Sequence, residues 1–397
     1  LPLYTTSRFL NEHSLHNRAM RHKIIIVGSG PAGSSTALHL AHIAPALANA
    51  TLVLERAHHP RPKLCGGGVL RDGEYILRRL GLDLTEVAHV PVHTAHFHFQ
   101  GRGATMRLTP VCFRVYHRAD FDHWLARAVR ARGVELRENT RVRRITPTAD
   151  GVRVETDGET FHAQVVVGAD GANSVVRRAV TTDSAHSHVA RLLEFRHPVA
   201  QTKKEEEQQR TAYFRFDIIA QNLQGYIWDF PTQIAGQPAR NRGIFDLGMY
   251  ETGAPSLVPS LREAVAKEGV NLANYKLQGH PIRWFTPEGP FAAPRVLLVG
   301  DAAGIDPSYG EGISFSLGYG EIAARALQAA FTRGDFSFER YRARLLSSPM
   351  GRSLQRRYRL ARVLYRYRHP RVQRLLWWRF GFLMRWYILK ALIDWAK

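Results

Sequence analysis

The chain has 397 residues, 45% of them hydrophobic and 22% charged, enough to bury the core of one large domain or two and too apolar for a disordered chain. Its 55 lysines and arginines against 34 acids leave a net charge of +21, so the surface attracts anions: phospholipid headgroups, nucleic acid or an acidic redox partner. Two cysteines, Cys65 and Cys112, exclude a disulfide scaffold and a Cys-rich zinc module, so a reducing, cytoplasmic setting and no metal site are expected.

Residues 1–21 lack the apolar stretch of a signal peptide and read as a disordered leader or tag. Lys23 to Val27 is a β-branched run ending in Gly28-Ser29-Gly30-Pro31-Ala32-Gly33. An Ala- and Leu-rich stretch then predicts a helix, and Thr51 to Leu54 a second strand closed by Glu55. A Pro- and Gly-rich loop, Pro60 to Gly68, precedes a helix around Asp72 to Leu80 and another from Arg118 to Arg132. Short strands fill Gly133 to Asp170. From about Val189 to His280 alternating strands, including Thr211 to Ile219 and Gly225 to Phe230, predict a separate sheet that covers a ligand. The charge run from Lys203 to Gln209 reads as a solvated loop or helix end. Arg295 to Val299 is a buried strand that runs into Gly300-Asp301-Ala302-Ala303-Gly304, and a helix follows from about Gly312 to Phe331. The remainder is an Arg-rich helical tail, in which Arg379, Arg385 and Lys390 interrupt every apolar stretch before it reaches the roughly 18 residues of a membrane span.

Three segments carry chemistry. In the first, Gly28 permits a tight turn, Gly30 lets the backbone approach a pyrophosphate, and Gly33 allows close helix packing, with the helix N-terminus toward the phosphates. Glu55, at the end of the second strand, accepts hydrogen bonds from ribose hydroxyls and repels a 2′-phosphate, so the adenosine of FAD or NAD is expected. The second segment, Val165 to Arg177, is a strand that emerges at Gly168-Ala169-Asp170-Gly171, and the third is Val299-Gly300-Asp301. Both put a carboxylate just past a strand end, where open α/β sheets hold ligands. Asp301 is placed for a ribityl hydroxyl, and the helix start near Gly310 to Ile313 for the flavin or a phosphate. Asp170 has two readings, a ligand-facing carboxylate or a turn-former that caps the next segment.

Together the three ordered motifs resemble the flavoprotein superfamily with the p-hydroxybenzoate hydroxylase-like fold: an α/β Rossmann-like FAD-binding domain with an inserted β-sheet substrate domain. Within it, Pro62-Lys63-Leu64-Cys65-Gly66-Gly67-Gly68, Tyr226-Ile227-Trp228-Asp229-Phe230-Pro231 and Gly310-Glu311-Gly312-Ile313 resemble the signatures of the geranylgeranyl reductase family. The resemblance implies an FAD-binding region at 22–90, 105–188 and 285–330, a substrate sheet at 91–104 and 189–284, and a helical C-terminal region at 331–397. It implies FAD contacts from Ala32, Glu55, Arg56, Cys65, Gly66, Gly68, Arg118, Val142, Asp301, Gly312 and Ile313, and an isoprenoid pocket at Tyr226 and Trp228, with Phe230 and Pro231 following. The implied activity is saturation of C=C bonds in a geranylgeranyl chain on a lipid, quinone or chlorophyll-type pigment. Since no second Gly-x-Gly-x-x-Gly unit is evident, NAD(P)H would dock transiently as reductant or be replaced by reduced ferredoxin.

The residues by themselves leave alternatives open. Tyr226 and Trp228 suit an apolar wall or ordinary core, Cys65 a proton source or a small space-filler, and Arg118 a cofactor contact or a surface salt bridge. Lys63 reads as a loop charge and Cys112 as core. Ile305 to Tyr309 departs from the family pattern, and Tyr309 is expected to narrow the space above the flavin, which bears on the substrate. The tail from Arg366 to Lys397 interleaves arginines with Trp377, Trp378, Phe382, Trp386 and Trp395, a pattern suited to an anionic membrane surface on the inner face of a bilayer, to packing on the domain or to a dimer contact. No nucleic-acid reader motif accompanies the charge. Rival functions are a flavin-dependent aromatic monooxygenase, a flavin halogenase whose Trp-x-Trp-x-Ile-Pro motif is only partly matched, and a flavin-loaded isoprenoid-binding protein at the membrane surface.

Overall fold

The computed structural model describes residues 22–182, 187–200, 202, 207–251, 253, 255–382, 386 and 394–397. The leader, most of the charge run at 203–209, Arg385 and Lys390 lie outside the described residues.

The chain opens with β1 (His22–Val27), α1 (Pro31–Ile43) and β2 (Thr51–Leu54), then β3 (Gly68–Leu70), α2 (Arg71–Arg79), β4 (His89–Val92), β5 (Thr94–Phe99) and β6 (Arg102–Arg107). Next come β7 (Phe113–Tyr116), α3 (Arg118–Ala131), β8 (Glu135–Arg137), β9 (Val142–Pro147), β10 (Val152–Thr156) and β11 (Thr160–Gly168). The middle of the chain supplies β12 (Val189–Pro198), β13 (Thr211–Arg215), β14 (Gly225–Ile234), β15 (Gln237–Asp246), α4 (Leu257–Ala266), β16 (Gln278–Gly279) and β17 (Ile282–Arg283). It closes with β18 (Ala292–Ala293), β19 (Val296–Leu298), α5 (Ile313–Arg333), α6 (Tyr341–Ser347), α7 (Pro349–Arg366) and α8 (Pro370–Arg374).

The first sheet runs β18-β19-β11-β1-β2-β8, and β19, β11, β1, β2 and β8 are mutually parallel. Parallel strands are covered on both faces and therefore read as unbroken apolar runs: Ile24, Ile25 and Ile26 of β1 and Val165, Val166 and Val167 of β11 are fully buried. α1 packs on α5 so closely that a Cβ on Gly320 would lie 2.4 Å from Ser35 Oγ, and Ser35 Oγ donates to the Leu317 carbonyl at 2.6 Å. Because β19, β11 and β1 are neighbours, their C-terminal ends bring Gly28, Asp170 and Asp301 to one sheet edge from three distant parts of the chain.

A second sheet runs β16-β12-β15-β14-β13-β5-β6, antiparallel except for β13 against β5, with β17 also on β12. β6 pairs with β5 through Arg107, so this sheet takes in residues past 104. The strand expected from Thr211 to Ile219 stops at Arg215. There Asp217 Oδ1 accepts from Gln100 N and draws the chain to the β5–β6 turn, and a 3-10 turn occupies Asp217–Gln221.

The C-terminal region packs on the body in parts. Trp377 is 1% exposed, Trp395 stacks on Phe315 at 5.1 Å, and Asp72 accepts from Asp394 N and Ala396 N. Trp377 packs on Phe216 at 4.5 Å in the core of the second sheet, and the partly buried Trp395 reaches Phe315 because the chain end folds back onto α2 and α5, so both pack on the domain. Among the described residues no helix is long and apolar enough to cross a membrane.

Glu138, just past β8, anchors the loop that leads toward Cys65. It accepts from His59 N at 3.1 Å and His59 Nδ1 at 2.7 Å and pairs with Arg130 at 3.2 Å. Burial pushes its carboxyl up, but the His59 hydrogen bonds and the Arg130 charge outweigh that and hold it at about 2. Between that value and the ordinary 4.5 the unfolded chain binds the extra proton, so the stabilisation is complete above the upper value and lost as pH falls toward the lower. Glu138→Gln is expected to cost about 1 kcal/mol at neutral pH, a hydrogen-bonded charge partly screened by solvent, and to flatten acid unfolding in that window, as followed by urea titration.

Candidate active site

A cavity of about 690 Å³ extends from the β1–α1 turn and the end of β2 to the face of the second sheet. Its first part is a nucleotide-shaped cradle. Gly28 turns with φ of 99°, and a Cβ there would lie 2.5 Å from the Ala169 carbonyl oxygen, so the turn depends on glycine. At Gly30, which lines the cavity, a Cβ would meet only Arg61 Nη2 at 3.8 Å, so the backbone is bare toward the open space. Pro31 and Ala32 begin α1 with its N-terminal N–H groups at the same place. Gly33 does not line the cavity; its missing side chain lets α1 meet the Gly28 carbonyl.

Glu55 is held at the end of β2, where its carboxylate accepts from Ser29 N at 3.0 Å, Ser29 Oγ at 2.9 Å and Ala57 N at 3.1 Å, with Arg61 Nε 3.4 Å away. Arg56 follows it at the cavity rim. Asp170 lines the cavity and also caps the next turn, taking Ser174 Oγ at 2.5 Å and Val175 N at 2.7 Å, so the capping reading holds for its carboxylate. Asp301 differs: it lines the cavity, and among the described residues no donor reaches its carboxylate. Burial raises its proton affinity against the opposing charges of Lys63 and Arg118. Gly310, Gly312 and Ile313 bring the N-terminus of α5 to the cavity, and Val142 closes its side. A bare glycine turn, an open helix N-terminus and a carboxylate in want of a donor on one elongated cavity suit a flavin dinucleotide.

The second part is aromatic. β14 alternates, so Tyr226, Trp228 and Phe230 face the cavity, while Pro231 turns to the other side of the sheet and is not at the site as expected. The cross-strand row Trp228, Phe214 and Phe97 continues this wall, with Phe97 and Phe214 stacked at 4.4 Å and Phe214 and Phe230 at 5.0 Å. Tyr309 joins it: its ring stands edge-on to Phe97 at 5.8 Å, and its carbonyl accepts from the Tyr226 hydroxyl. Trp228 Nε1 donates to Asn241 Oδ1 at 2.7 Å, which satisfies the buried indole.

The loop Lys63 to Gly68 lies between the two parts. Gly66 faces the wall, since a Cβ there would lie 3.1 Å from the Phe230 ring, and Gly68 lines the cavity beside it. Cys65 is half-buried, and its sulfur accepts from Gly67 N at 3.4 Å. Arg118 is not a surface salt bridge: it is 5% exposed, donates to both oxygens of Asp122 at 2.9 and 3.0 Å, and lies beside Cys65. Nor is Lys63 a solvated loop charge. It lines the cavity, its ammonium contacts His280 Nε2, and burial, against the attraction of Asp301, brings it down to about 8. Burial and the Lys63 charge take His280 down to about 3. Cys112 is fully buried.

Two cavity acids carry no role in the sequence reading: Glu311, named only within its motif, and Glu194, not singled out at all. Glu311 accepts from Ser314 N at 2.8 Å, and burial pushes it up to about 7. Glu194 of β12 is 2% exposed and accepts from Cys65 N at 3.1 Å. The available signal for Glu194 was a charge in the inward register of Ala190 and Leu192. Among the described residues no cluster of His, Cys, Asp and Glu suits a metal ion.

Residues 21–242 match the FAD binding domain family. The chain is 26% identical to the digeranylgeranylglycerophospholipid reductase 1 of Methanothermobacter thermautotrophicus, over 80% of this chain and 79% of that protein. It is 26% identical to the menaquinone reductase of Mycolicibacterium smegmatis, over 83% of this chain and 85% of that protein. Its fold is similar to the crystal structure of a geranylgeranyl bacteriochlorophyll reductase-like protein from Thermoplasma acidophilum, with a TM-score of 0.71 at 20% identity over 93% of this chain and 96% of that one.

Proposed function

The chain belongs to the FAD binding domain family and is an FAD-dependent oxidoreductase, and from that premise we propose that it saturates C=C bonds of a geranylgeranyl or related isoprenoid chain carried by a lipid, quinone or chlorophyll-type pigment. The observation that carries this reading is one cavity that joins the dinucleotide cradle to the Phe97, Phe214, Tyr226, Trp228 and Phe230 wall, an apolar surface suited to an alkyl chain. Relatives named for reducing a digeranylgeranyl phospholipid and menaquinone support it.

When bound, the flavin supplies two electrons as a hydride. The chain does the rest. The N–H groups of Gly30 and Ala32 hold the pyrophosphate, Glu55 the ribose with Arg56 beside it, and Asp301 a ribityl hydroxyl. Gly310, Gly312 and Ile313 would present the α5 N-terminus to the flavin, Gly66 and Gly68 with Cys65 and Arg118 would line its surroundings on the loop side, and Val142 would line the cavity near the Glu55 end. The aromatic wall and Tyr309 orient the alkene and exclude water. On this reading the first sheet holds the cofactor and the second covers the substrate. The electron donor is NAD(P)H or a reduced acidic carrier such as ferredoxin, for which a net charge of +21 is favourable.

The test is anaerobic: the reduced holoprotein is mixed with geranylgeranyl diphosphate or with a geranylgeranyl phospholipid, and product mass is read alongside flavin reoxidation. Two hydrogens gained per double bond support the reductase. Flavin that stays reduced until oxygen is admitted, with hydroxylation of an aromatic compound, selects the monooxygenase, and tight lipid binding without turnover selects a carrier.

The same proposal places the protein on an anionic membrane surface. Val363, Tyr367, Leu375, Trp378, Phe382 and Trp386 are exposed among the exposed arginines 362, 366, 371, 374 and 379, an interfacial composition. Replacing Trp378 and Phe382 by serine is expected to abolish flotation with phosphatidylglycerol vesicles. Point changes are the appropriate test, because deleting the tail would also remove the buried Trp377 and the stack of Trp395 on Phe315.

A further inference from the structure

We infer that Glu194 is the general acid of this site, the group that delivers the proton to the double bond. The inference rests on the reductase reading and assigns it a residue.

Alternation along β12 turns Ala190, Leu192 and Glu194 inward. The register then puts Glu194 opposite Gly243, Gly243 opposite Trp228, and Trp228 opposite Phe214, so one row crosses the substrate-facing surface and ends in a carboxyl. Gly243 makes this arrangement possible. A Cβ there would lie 2.1 Å from Trp228 Cζ2, so the indole spreads over the glycine toward Glu194. The carboxyl is tied to the loop between the two parts of the cavity, with Oε1 accepting from Cys65 N at 3.1 Å. Its Oε2 is buried, and the Asn241 side chain faces the carboxyl.

Groups facing it come from three sides: Arg196 on its own strand, Asn241 on β15, and Cys65 and Lys63 on the loop, Lys63 being in contact with His280. Burial outweighs these donors and charges and makes the carboxyl hold its proton more tightly than an ordinary glutamic acid. Of the other cavity acids, Glu55 and Asp170 are held by backbone donors and Asp301 stands just past β19, all at the dinucleotide edge of the first sheet. Glu311 caps the start of α5 through Oε1 and, like Glu194, leaves Oε2 buried; Glu194 is distinguished by its place in the Trp228 and Phe214 row of the second sheet.

The step balances with one hydride and one proton. The π bond breaks, one alkene carbon takes the hydride of the reduced cofactor, and the other takes the Glu194 proton as its O–H bond breaks. The carboxylate left behind regains a proton from water after the product departs. The two electrons come from the cofactor, itself reduced by the external donor.

The test uses the reduced holoprotein and a geranylgeranyl phospholipid, with Glu194→Gln, Glu194→Asp and Cys65→Ser beside the wild type. Glu194→Gln is expected to retain FAD, to lose a protonated-carboxyl band in the infrared spectrum, and to slow single-turnover saturation by about 100-fold or more. Glu194→Asp is expected to recover part of that rate. Saturation within a few-fold of wild type in Glu194→Gln overturns the inference and leaves the reductase intact, as does loss of saturation in Cys65→Ser alone. A wild-type protein that saturates no isoprenoid overturns the reductase reading and the donor role with it, while the infrared band still reports whether Glu194 is protonated.

Discussion

Gly33→Ala is expected to yield protein that purifies without bound FAD. The added methyl would lie 1.9 Å from the Gly28 carbonyl oxygen and 3.2 Å from the Ala169 Cβ. Neither is the movable end of a side chain, so α1 or the β1 turn must shift, at more than the roughly 1–3 kcal/mol of ordinary overpacking. A shifted turn no longer aims its N–H groups at a pyrophosphate. Gly30→Ala is the informative companion, because its methyl meets nothing nearer than Arg61 Nη2 at 3.8 Å. That variant is expected to unfold at the wild-type urea concentration and yet bind FAD weakly, since the methyl occupies the space the phosphates need. Titration of both deflavinated variants with FAD reads the difference. Wild-type affinity in Gly30→Ala would mean that the pyrophosphate lies elsewhere.

Arg357→Met is expected to destabilise the protein by about 3–5 kcal/mol, the cost of leaving one member of a buried ion pair alone. Asp306 is 0% exposed and Arg357 1% exposed. They pair directly through Arg357 Nη1, Asp306 also accepts from Ser308 N at 2.7 Å, and the guanidinium lies over the Phe315 ring at 4.8 Å. The pair holds the segment leading to Tyr309, Gly310 and Gly312, so cavity-facing groups should loosen with it. Urea unfolding measures the loss. Combining Arg357→Met with Asp306→Leu is expected to recover much of it, because the isolated charge is then gone. An unchanged urea midpoint in Arg357→Met would show that the pair contributes nothing.

Much of the cofactor end was legible. A glycine before a helix or a carboxylate at a strand end is a local feature, and Gly28, Gly30, Glu55, Asp170 and Asp301 all line the cavity. The aromatic row on β14 was legible by its period of two, which also sends Pro231 to the opposite face. The place of Lys63 was not: it looks like an ordinary loop charge in sequence and becomes a cavity group only when His280 arrives from elsewhere in the chain. Arg118 stayed open between a cofactor contact and a surface salt bridge until the packing around it, with Cys65 beside it, buried it. Glu194 hides similarly, as a single charge in a strand whose partners lie at Cys65 and Gly243.

By itself, then, the sequence determined the kind of turns and their order, because backbone freedom at glycine, apolar runs and alternation act over a few residues. Tertiary structure alone decided that the turns at Gly28, Asp170 and Asp301 share one edge, and which acids and bases lose water there. Desolvation depends on what packs around a group, and around Glu194, Lys63 and Arg357 much of that packing comes from residues more than a hundred positions away or from a different sheet or helix.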